Sequence, residues 1–403
     1  MTSPRLGVIG GGQLARMMAG PAAELGVTLR VLAESPDASA AQVAPHRVGD
    51  FHSLDDLRAF AADVDVITFD HEHVPTEHLE ALEATGVAVR PSPRALVHAQ
   101  DKLRMRAAVE RLGLPNPAWD AVSTLEEVLS FGDTHGWPMV VKTARGGYDG
   151  KGVLVLDSPD DARDSAERGT LATWLSAGIA PLLAEAKVDF LRELSAQVAR
   201  RPSGEMVSYP IVDSLQTDGV CDVVQAPAPA LASEHAEALT QAAQRLADAL
   251  DVTGLLAVEV FQTGEGPGDF QINELAMRPH NSGHWSMDGA VTGQFEQHVR
   301  AVLDLPLGST DLHGTGTVMK NVLGGRVDDL HAQFPVALAA HPGAKVHLYG
   351  KDVRPGRKVG HVNVVTQGSL DDARATAEAV AALLRDGGTD GKTGSDPDLE
   401  RTP

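Results

Sequence analysis

The chain has 403 residues, more than one hydrophobic core usually organises, so two or three packed domains are expected. Its 34 basic residues against 55 acidic ones leave a formal charge of −21, which argues against non-specific nucleic-acid binding because phosphate backbones demand clustered Lys and Arg. No run approaches the roughly 20 apolar residues of a membrane span, no signal-type sequence precedes the first strand, and one cysteine, Cys221, excludes an internal disulfide framework. A reducing cytoplasmic compartment is the expectation.

The first third alternates strand and helix. Leu6 to Ile9 is a short apolar strand, followed by glycines and a helix over Gln13 to Leu25. Strands are expected at Val27 to Ala33, Val64 to Phe69 and Val87 to Arg90, with a helix over Thr76 to Ala84. Such βαβ alternation predicts a parallel sheet covered by helices. The turn Gly10-Gly11-Gly12-Gln13-Leu14-Ala15 fits the G-x-G-x-x-A dinucleotide fingerprint, with Glu34 near its acidic position. Taken alone, the turn fits an NAD site or a tight strand-helix junction equally well. The later motifs favour the junction.

The pattern changes after Pro91-Ser92-Pro93. A basic helix over Ala99 to Leu112 is expected, then a hinge at Pro115-Asn116-Pro117 and a capping box at Ser123 and Glu126. Met139 to Thr143 and Gly152 to Leu156 read as a hairpin around a glycine-rich loop. Further strands are expected at Leu182 to Glu185, Leu191 to Arg200, Glu205 to Val212, Leu255 to Phe261 and Phe270 to Leu275, with a helix over Glu234 to Leu250. This middle section is α+β. A smaller unit from Val302 carries strands at Val346 to Tyr349 and Val359 to Val365 and a helix over Asp372 to Leu384. The polar residues 387–403 are expected to be a disordered tail.

Four constellations carry chemistry. Lys142 ends an apolar strand, and Arg145-Gly146-Gly147-Tyr148-Asp149-Gly150-Lys151-Gly152 follows. The glycines let backbone N–H groups approach phosphate oxygens, and the lysines add point charges. Without a phosphate, the same residues make an ordinary flexible hairpin. Glu259 and Glu274 lie on successive apolar strands, with Asn273 beside them. Buried carboxylates need a cation or donors, so the pair suits Mg²⁺ shared with nucleotide phosphates, or else salt bridges to Arg278 or Lys320. Alternation places Glu259 on the face of Leu255, Ala257 and Phe261. Lys351-Asp352-Val353-Arg354-Pro355-Gly356-Arg357-Lys358 is a basic island in an acidic chain, which suits an anionic substrate or a solvated loop. The loop Arg278-Pro279-His280-Asn281-Ser282-Gly283-His284-Trp285 is polar enough for a binding loop, and its two histidines lack a clear third zinc ligand.

These motifs, with Asn273-Glu274-Leu275-Ala276 and Arg354-Pro355-Gly356-Arg357-Lys358-Val359-Gly360-His361, resemble the signatures of the N5-carboxyaminoimidazole ribonucleotide synthase family of ATP-grasp enzymes. The resemblance runs from about residue 5 to 368. It implies an α/β plus α+β architecture: a Rossmann-like domain over 1–98, an ATP-grasp domain of two lobes over 99–301 and a small C-terminal domain over 302–386. It also implies carboxylation of aminoimidazole ribonucleotide by ATP and bicarbonate through carboxyphosphate, in purine synthesis. Lys102 and Lys142 would meet ATP phosphates under a loop from Gly147 to Val153 that includes Gly150 and Gly152. Glu185, Ala186, Lys187 and Val188 would read adenine, largely through backbone groups, and Glu193 the ribose. Glu259 and Glu274 would hold Mg²⁺, with Mn²⁺ as a substitute. Tyr148, Asp149 and Lys151 would face the aminoimidazole, Asp149 orienting the amine or taking its proton. Arg278, His280, Asn281, Lys351, Arg357 and Lys358 would hold the substrate's ribose phosphate. The resemblance further implies a homodimer and transient contact with the mutase that follows.

The chain departs from the family pattern in three places. Gln216 stands where relatives often carry a nucleotide-contacting His, Asp70 where Glu is frequent and Met277 where Pro is usual. Other ATP-grasp enzymes share the Lys142 and Glu259/Glu274 type of position without the basic C-terminal motif. An NAD-dependent oxidoreductase leaves the carboxylate pair unexplained.

Overall fold

The short apolar strands of the first hundred residues form a five-stranded parallel sheet, in the order His46–Val48, Thr28–Ala33, Arg5–Ile9, Val66–Phe69, Ala88–Val89. Leu6, Val8, Ile9, Val31, Ile67 and Phe69 are all buried, as strands covered on both faces require. The computed structural model describes residues 3–147, 152–217 and 219–387. Tyr148, Asp149, Gly150 and Lys151, and the tail beyond Gly387, lie outside the described residues.

The glycine turn is used for close packing. A Cβ on Gly12 would stand 2.0 Å from Asp70 Oδ2. Asp70 Oδ1 accepts from Ala15 N–H at 2.8 Å, so it caps the helix Gln13–Glu24 from a different strand. Glu34 accepts from Gly11 N–H at 3.1 Å, so the fingerprint's acidic residue holds the turn itself. Both contacts favour the junction over the dinucleotide reading.

Two antiparallel sheets follow. The smaller runs Trp119–Val122, Leu182–Ala186, Met139–Thr143, Val153–Leu156, and contains the expected hairpin. The larger has nine strands. Its main path runs Phe270–Ala276, Gly254–Gln262, Arg192–Arg200, Val212–Thr217, Val220–Ala226, Gly316–Leu323, Lys358–Thr366, Ala344–Leu348, and Met206–Ser208 pairs beside Arg192–Arg200. The C-terminal strands therefore extend the sheet of the middle section through the pairing of Val220–Ala226 with Gly316–Leu323. That joining strand was not anticipated. Lys320 and Asn321 interrupt its apolar run, and both are satisfied laterally, Lys320 by Asp222 at 2.5 Å and Asn321 by Asn281 and the Cys221 carbonyl.

Three local expectations need correction. The single basic helix is two, Pro93–Gln100 and Lys102–Arg111, because Asp101 breaks the first and accepts from Leu103 and Arg104 N–H to cap the second. The capping box uses Thr124 and Glu127, one residue later than expected. The strand expected over Glu205 to Val212 splits into Met206–Ser208 and the start of Val212–Thr217, with Tyr209 N–H bonded to Gln197 O between them.

The parallel and the nine-stranded sheets are joined through His298, which is fully buried on the helix Gln294–Val302. Its Nδ1 accepts from Leu255 N–H at 3.1 Å, so Nε2 carries the proton and donates to Thr68 Oγ1 at 2.8 Å. Burial pushes the imidazole down to about 3. A depressed folded-state value means the stability from neutral His298 is complete above the unfolded value of about 6.5 and is lost as pH falls toward 3. Between pH 7.5 and 5.0 the loss is about 2 kcal/mol. Urea unfolding at both pH values should show His298→Gln losing less stability than the parent over this interval; equal losses would remove His298 from this account.

Candidate active site

The central cleft is built from side chains that each element delivers for a local reason. Lys102 is the first residue of its helix and Arg106 lies one turn on, so both project from one face. Lys142 comes from the strand Met139–Thr143 and Glu185 from its neighbour Leu182–Ala186. Arg106, completely buried, donates to Glu185, to Asn116 Oδ1 at 3.1 Å and to the carbonyls of Ile272 and Asn273 at 2.6 and 3.0 Å. Lys142 Nζ lies 2.7 Å from Glu185 Oε2 and 3.5 Å from Asn273 Oδ1. Burial opposes ionisation of Glu185, yet Lys142 and Arg106 hold it below the usual carboxylate range.

Glu259 and Glu274 stand directly opposite one another on paired antiparallel strands. Like charges in that register repel. A bulge makes the arrangement work: the register steps from Glu259↔Glu274 to Val260↔Ile272, so Asn273 is the extra residue. The break in alternation lets consecutive residues reach different lysines, Asn273 meeting Lys142 and Glu274 Oε1 meeting Lys102 Nζ at 2.5 Å. The salt bridges weighed from sequence do not form, since Arg278 pairs with Glu72 and Lys320 with Asp222.

The two carboxyls differ in charge state. Burial would raise Glu274, but Lys102, with Lys142 and Arg278 behind it, holds it below its ordinary value. Burial, then Glu274 and Glu193, push Glu259 up to about 8. His280 Nε2 lies 4.0 Å from Glu259, and Lys358 and Arg278 partly offset the rise. Among the described residues no three His, Cys, Asp or Glu side chains converge as a complete metal cage. Two opposed carboxylates beside an amide fit a divalent cation that takes its remaining oxygens from a nucleotide.

One end of the cleft lies along the strand Arg192–Arg200. Glu193 sits opposite Phe261, whose ring stacks on Phe190 at 4.6 Å, and burial pushes its carboxyl up to about 7. Ala186 N–H is donated to Ala118 O, so Ala186 can offer a nucleotide only its carbonyl. Lys187 and Val188 follow in the irregular stretch after the strand Leu182–Ala186. Gly147, Gly152 and Val153 flank the undescribed tip of the hairpin, and Val153 is 41% exposed. Gln216 donates to Ser214 Oγ at 3.1 Å on its own strand.

The opposite end joins the first and last parts of the chain. Arg278 Nε meets Glu72 Oε1 at 2.8 Å, and Glu72 raises the guanidinium against the effect of its burial. His280 Nδ1 contacts Ser282 Oγ at 2.9 Å, and Asn281 exchanges amide hydrogen bonds with Asn321. Lys351 donates to Gln13 Oε1 at 2.7 Å and Arg357 to Asp352 O at 3.3 Å. A polar cavity of about 650 Å³ opens here, lined by Gly11, Gly12, Asp70, Lys351, Arg354 and Arg357, among others. Sequence reasoning missed Arg106 and Glu72. The four-residue spacing of Lys102 and Arg106 was the signal for one; the position of Glu72 just beyond a parallel strand's carboxyl end was the signal for the other.

A Rossmann-like sheet, a small antiparallel sheet over a larger one, and a cleft with two lysines facing two carboxylates define an ATP-grasp ligase. Family models match in that order: a ribonucleotide synthetase preATP-grasp domain over residues 3–100, an ATP-grasp domain over 107–295 and a phosphoribosylaminoimidazole carboxylase C-terminal domain over 317–376. The chain belongs to the N5-carboxyaminoimidazole ribonucleotide synthase family. The synthase of Mycobacterium leprae is 50% identical over 375 residues, covering 90% of this chain and 84% of that protein. The crystal structure of the Thermus thermophilus synthetase superposes with a TM-score of 0.84 at 36% identity, covering 94% of this chain and 98% of that one. An Aspergillus clavatus synthase in complex with ADP and 5-aminoimidazole ribonucleotide gives 0.84 at 30% identity, over 95% and 98% of the two chains.

Proposed function

We propose that the protein carboxylates 5-aminoimidazole ribonucleotide on its exocyclic amine, consuming ATP and bicarbonate and releasing ADP and phosphate, in purine synthesis. The observation that carries this reading is the opposed pair Glu259 and Glu274, flanked by Lys102 and Lys142; a separate polar cavity is lined by Lys351, Arg354 and Arg357 beside Glu34, Asp37, Asp70 and Asp352. In the family, a synthase from Aspergillus clavatus has been crystallised with both ADP and the ribonucleotide.

Bicarbonate is a poor electrophile because delocalised negative charge shields its carbon. Transfer of the γ-phosphoryl group to a bicarbonate oxygen gives carboxyphosphate, whose phosphate then leaves as the amine takes up the carboxyl carbon, directly or as CO₂. Lys102 and Lys142 offset charge on the transferring phosphoryl group. Glu259 and Glu274 would hold Mg²⁺, which supplies further neutralisation on those oxygens; Mn²⁺ has compatible donors. Glu193 would accept from the ribose hydroxyls, and Glu185 to Val188 would meet adenine. On the substrate side, Arg278, held by Glu72, with His280 and Asn281, would orient the ribonucleotide, and Lys351, Arg357 and Lys358 would receive its phosphate. Tyr148, Asp149 and Lys151 complete the reading, with Asp149 orienting the amine or taking its proton and the glycine loop excluding water.

No helix among the described residues is long and apolar enough to cross a membrane. On the same reading the enzyme works in the cytoplasm as a homodimer and hands its labile product to a mutase. The test is ADP release by purified protein with Mg-ATP and bicarbonate. Adding the ribonucleotide should raise the rate many-fold, and no rise would send the search to other phosphorylated amines.

A further inference from the structure

The basic loop that begins at Lys351 is exposed over much of its length, yet its first residues are gripped by the first domain. Ser39 Oγ donates to Tyr349 O at 2.5 Å, and Gln42 Nε2 donates to Gly350 O at 2.7 Å. Arg16 Nη1 ties these two residues together, donating to Ser39 O at 2.9 Å and to Gln42 Oε1 at 3.1 Å. The loop backbone lies directly on this set. Gly350 has φ +62°, and a Cβ there would stand 2.3 Å from Gln42 Oε1 and 2.7 Å from Arg16 Nη1. On the next residue, Lys351 reaches Gln13 on the same helix as Arg16. Two consecutive carbonyls and one lysine are thus fixed by residues more than 300 positions earlier in the chain.

We propose that Ser39 and Gln42, braced by Arg16, are positioning residues for the phosphate-receiving loop, setting its distance from the glycine turn so that the cavity between them fits a phosphate monoester. The proposal rests on the reading that this loop receives the substrate's phosphate. Neither residue carries charge. Their effect is geometric: they direct side-chain donors to main-chain carbonyls at the root of the loop, so that Lys351 and Arg357 need not be ordered when substrate arrives. Ser39 and Gln42 both line the cavity, together with Gly350 and Lys351.

The test is steady-state kinetics of Gln42→Met and of Ser39→Ala with Gln42→Met, using 5-aminoimidazole ribonucleotide and the phosphate-free ribonucleoside as alternative substrates. Methionine keeps the volume and adds no charge. Loss of one such hydrogen bond should raise KM for the ribonucleotide roughly three- to tenfold, and the double change more. KM for ATP and kcat should stay within about twofold, and the preference for ribonucleotide over ribonucleoside in kcat/KM should fall by the same factor as KM rises. A merely structural role would weaken both substrates equally. Unchanged KM in Gln42→Met, or equal losses for both substrates, overturns the proposal. Lys351→Met separates the two layers. If it collapses the preference while Gln42→Met does not, the clasp fails and the phosphate reading stands. If Lys351→Met leaves the preference intact, the phosphate reading fails and takes the clasp with it.

Discussion

Replacing Arg106 with Met is expected to destabilise the protein by about 3–5 kcal/mol, the usual cost of removing one partner from a buried, hydrogen-bonded ion pair. Arg106 has no exposed side-chain surface and satisfies Glu185, Asn116 and two carbonyls of the bulged strand, Ile272 and Asn273. Its loss leaves Glu185 desolvated with Lys142 alone, and leaves the bulge carbonyls without their donor. A fall in the unfolding midpoint on the order of 10 °C should follow in calorimetry. The combined change Arg106→Met with Glu185→Met removes both charges and should recover part of that loss, since apolar replacement of a whole buried pair is often near neutral. Equal destabilisation by the single and double changes would show that the pair is not what the site depends on. Surviving Arg106→Met protein should also have reduced turnover, because Lys142 and Asn273 are held through the same network.

Much of this architecture was legible because sequence periodicity and turn chemistry agree over most of the chain. The parallel sheet followed from short apolar strands between helices, and Glu259 and Glu274 stood out because charges inside apolar strands demand an explanation. The bulge at Asn273 was not legible. Nothing in Phe270-Gln271-Ile272-Asn273-Glu274 announces an extra residue, since a bulge is a property of pairing with Gly254–Gln262 and of the lysines that satisfy it. The shift of the capping box from Ser123 to Thr124 is similar: both hydroxyls have an acidic residue three positions on, and only the strand before them decides which one starts the helix. Arg106 lies in the expected basic helix, and its spacing from Lys102 puts the two on one face without telling an exposed guanidinium from one buried against a carboxylate. The strand Gly316–Leu323 was missed for a related reason, its polar residues being satisfied across the sheet by Asp222, Asn281 and Cys221.

The joining of the chain's two ends at one cavity was also beyond local pattern. The glycine turn and the basic loop are over 300 residues apart, and Gln13 with Lys351, Ser39 with Tyr349 and Gln42 with Gly350 are contacts that bring their surroundings together. What the sequence did show was an imbalance: a basic island in a chain of charge −21 has little reason to persist in solvent alone. Under the proposed function, the substrate's phosphate supplies that reason.

At the other end of the cleft, Glu274→Gln is expected to lower kcat by roughly 10² to 10³, the range seen when one preorganised electrostatic group is lost from a charge-stabilising site. The substitution keeps volume and an acceptor for Lys102 but removes the charge that Lys102, Lys142 and Arg278 hold ionised. Thermal stability should change little, because the amide keeps the volume of the side chain and an acceptor for Lys102. Nucleotide binding measured by calorimetry should require more Mg²⁺ in the variant, since one of two opposed carboxylates has become a neutral amide. Burial, the largest cause of the rise of Glu259 to about 8, remains in the variant. Turnover within a few-fold of the parent would mean that the carboxylate pair serves the fold rather than the reaction, and that the cation and the transferring phosphoryl group are held by other residues of the cleft.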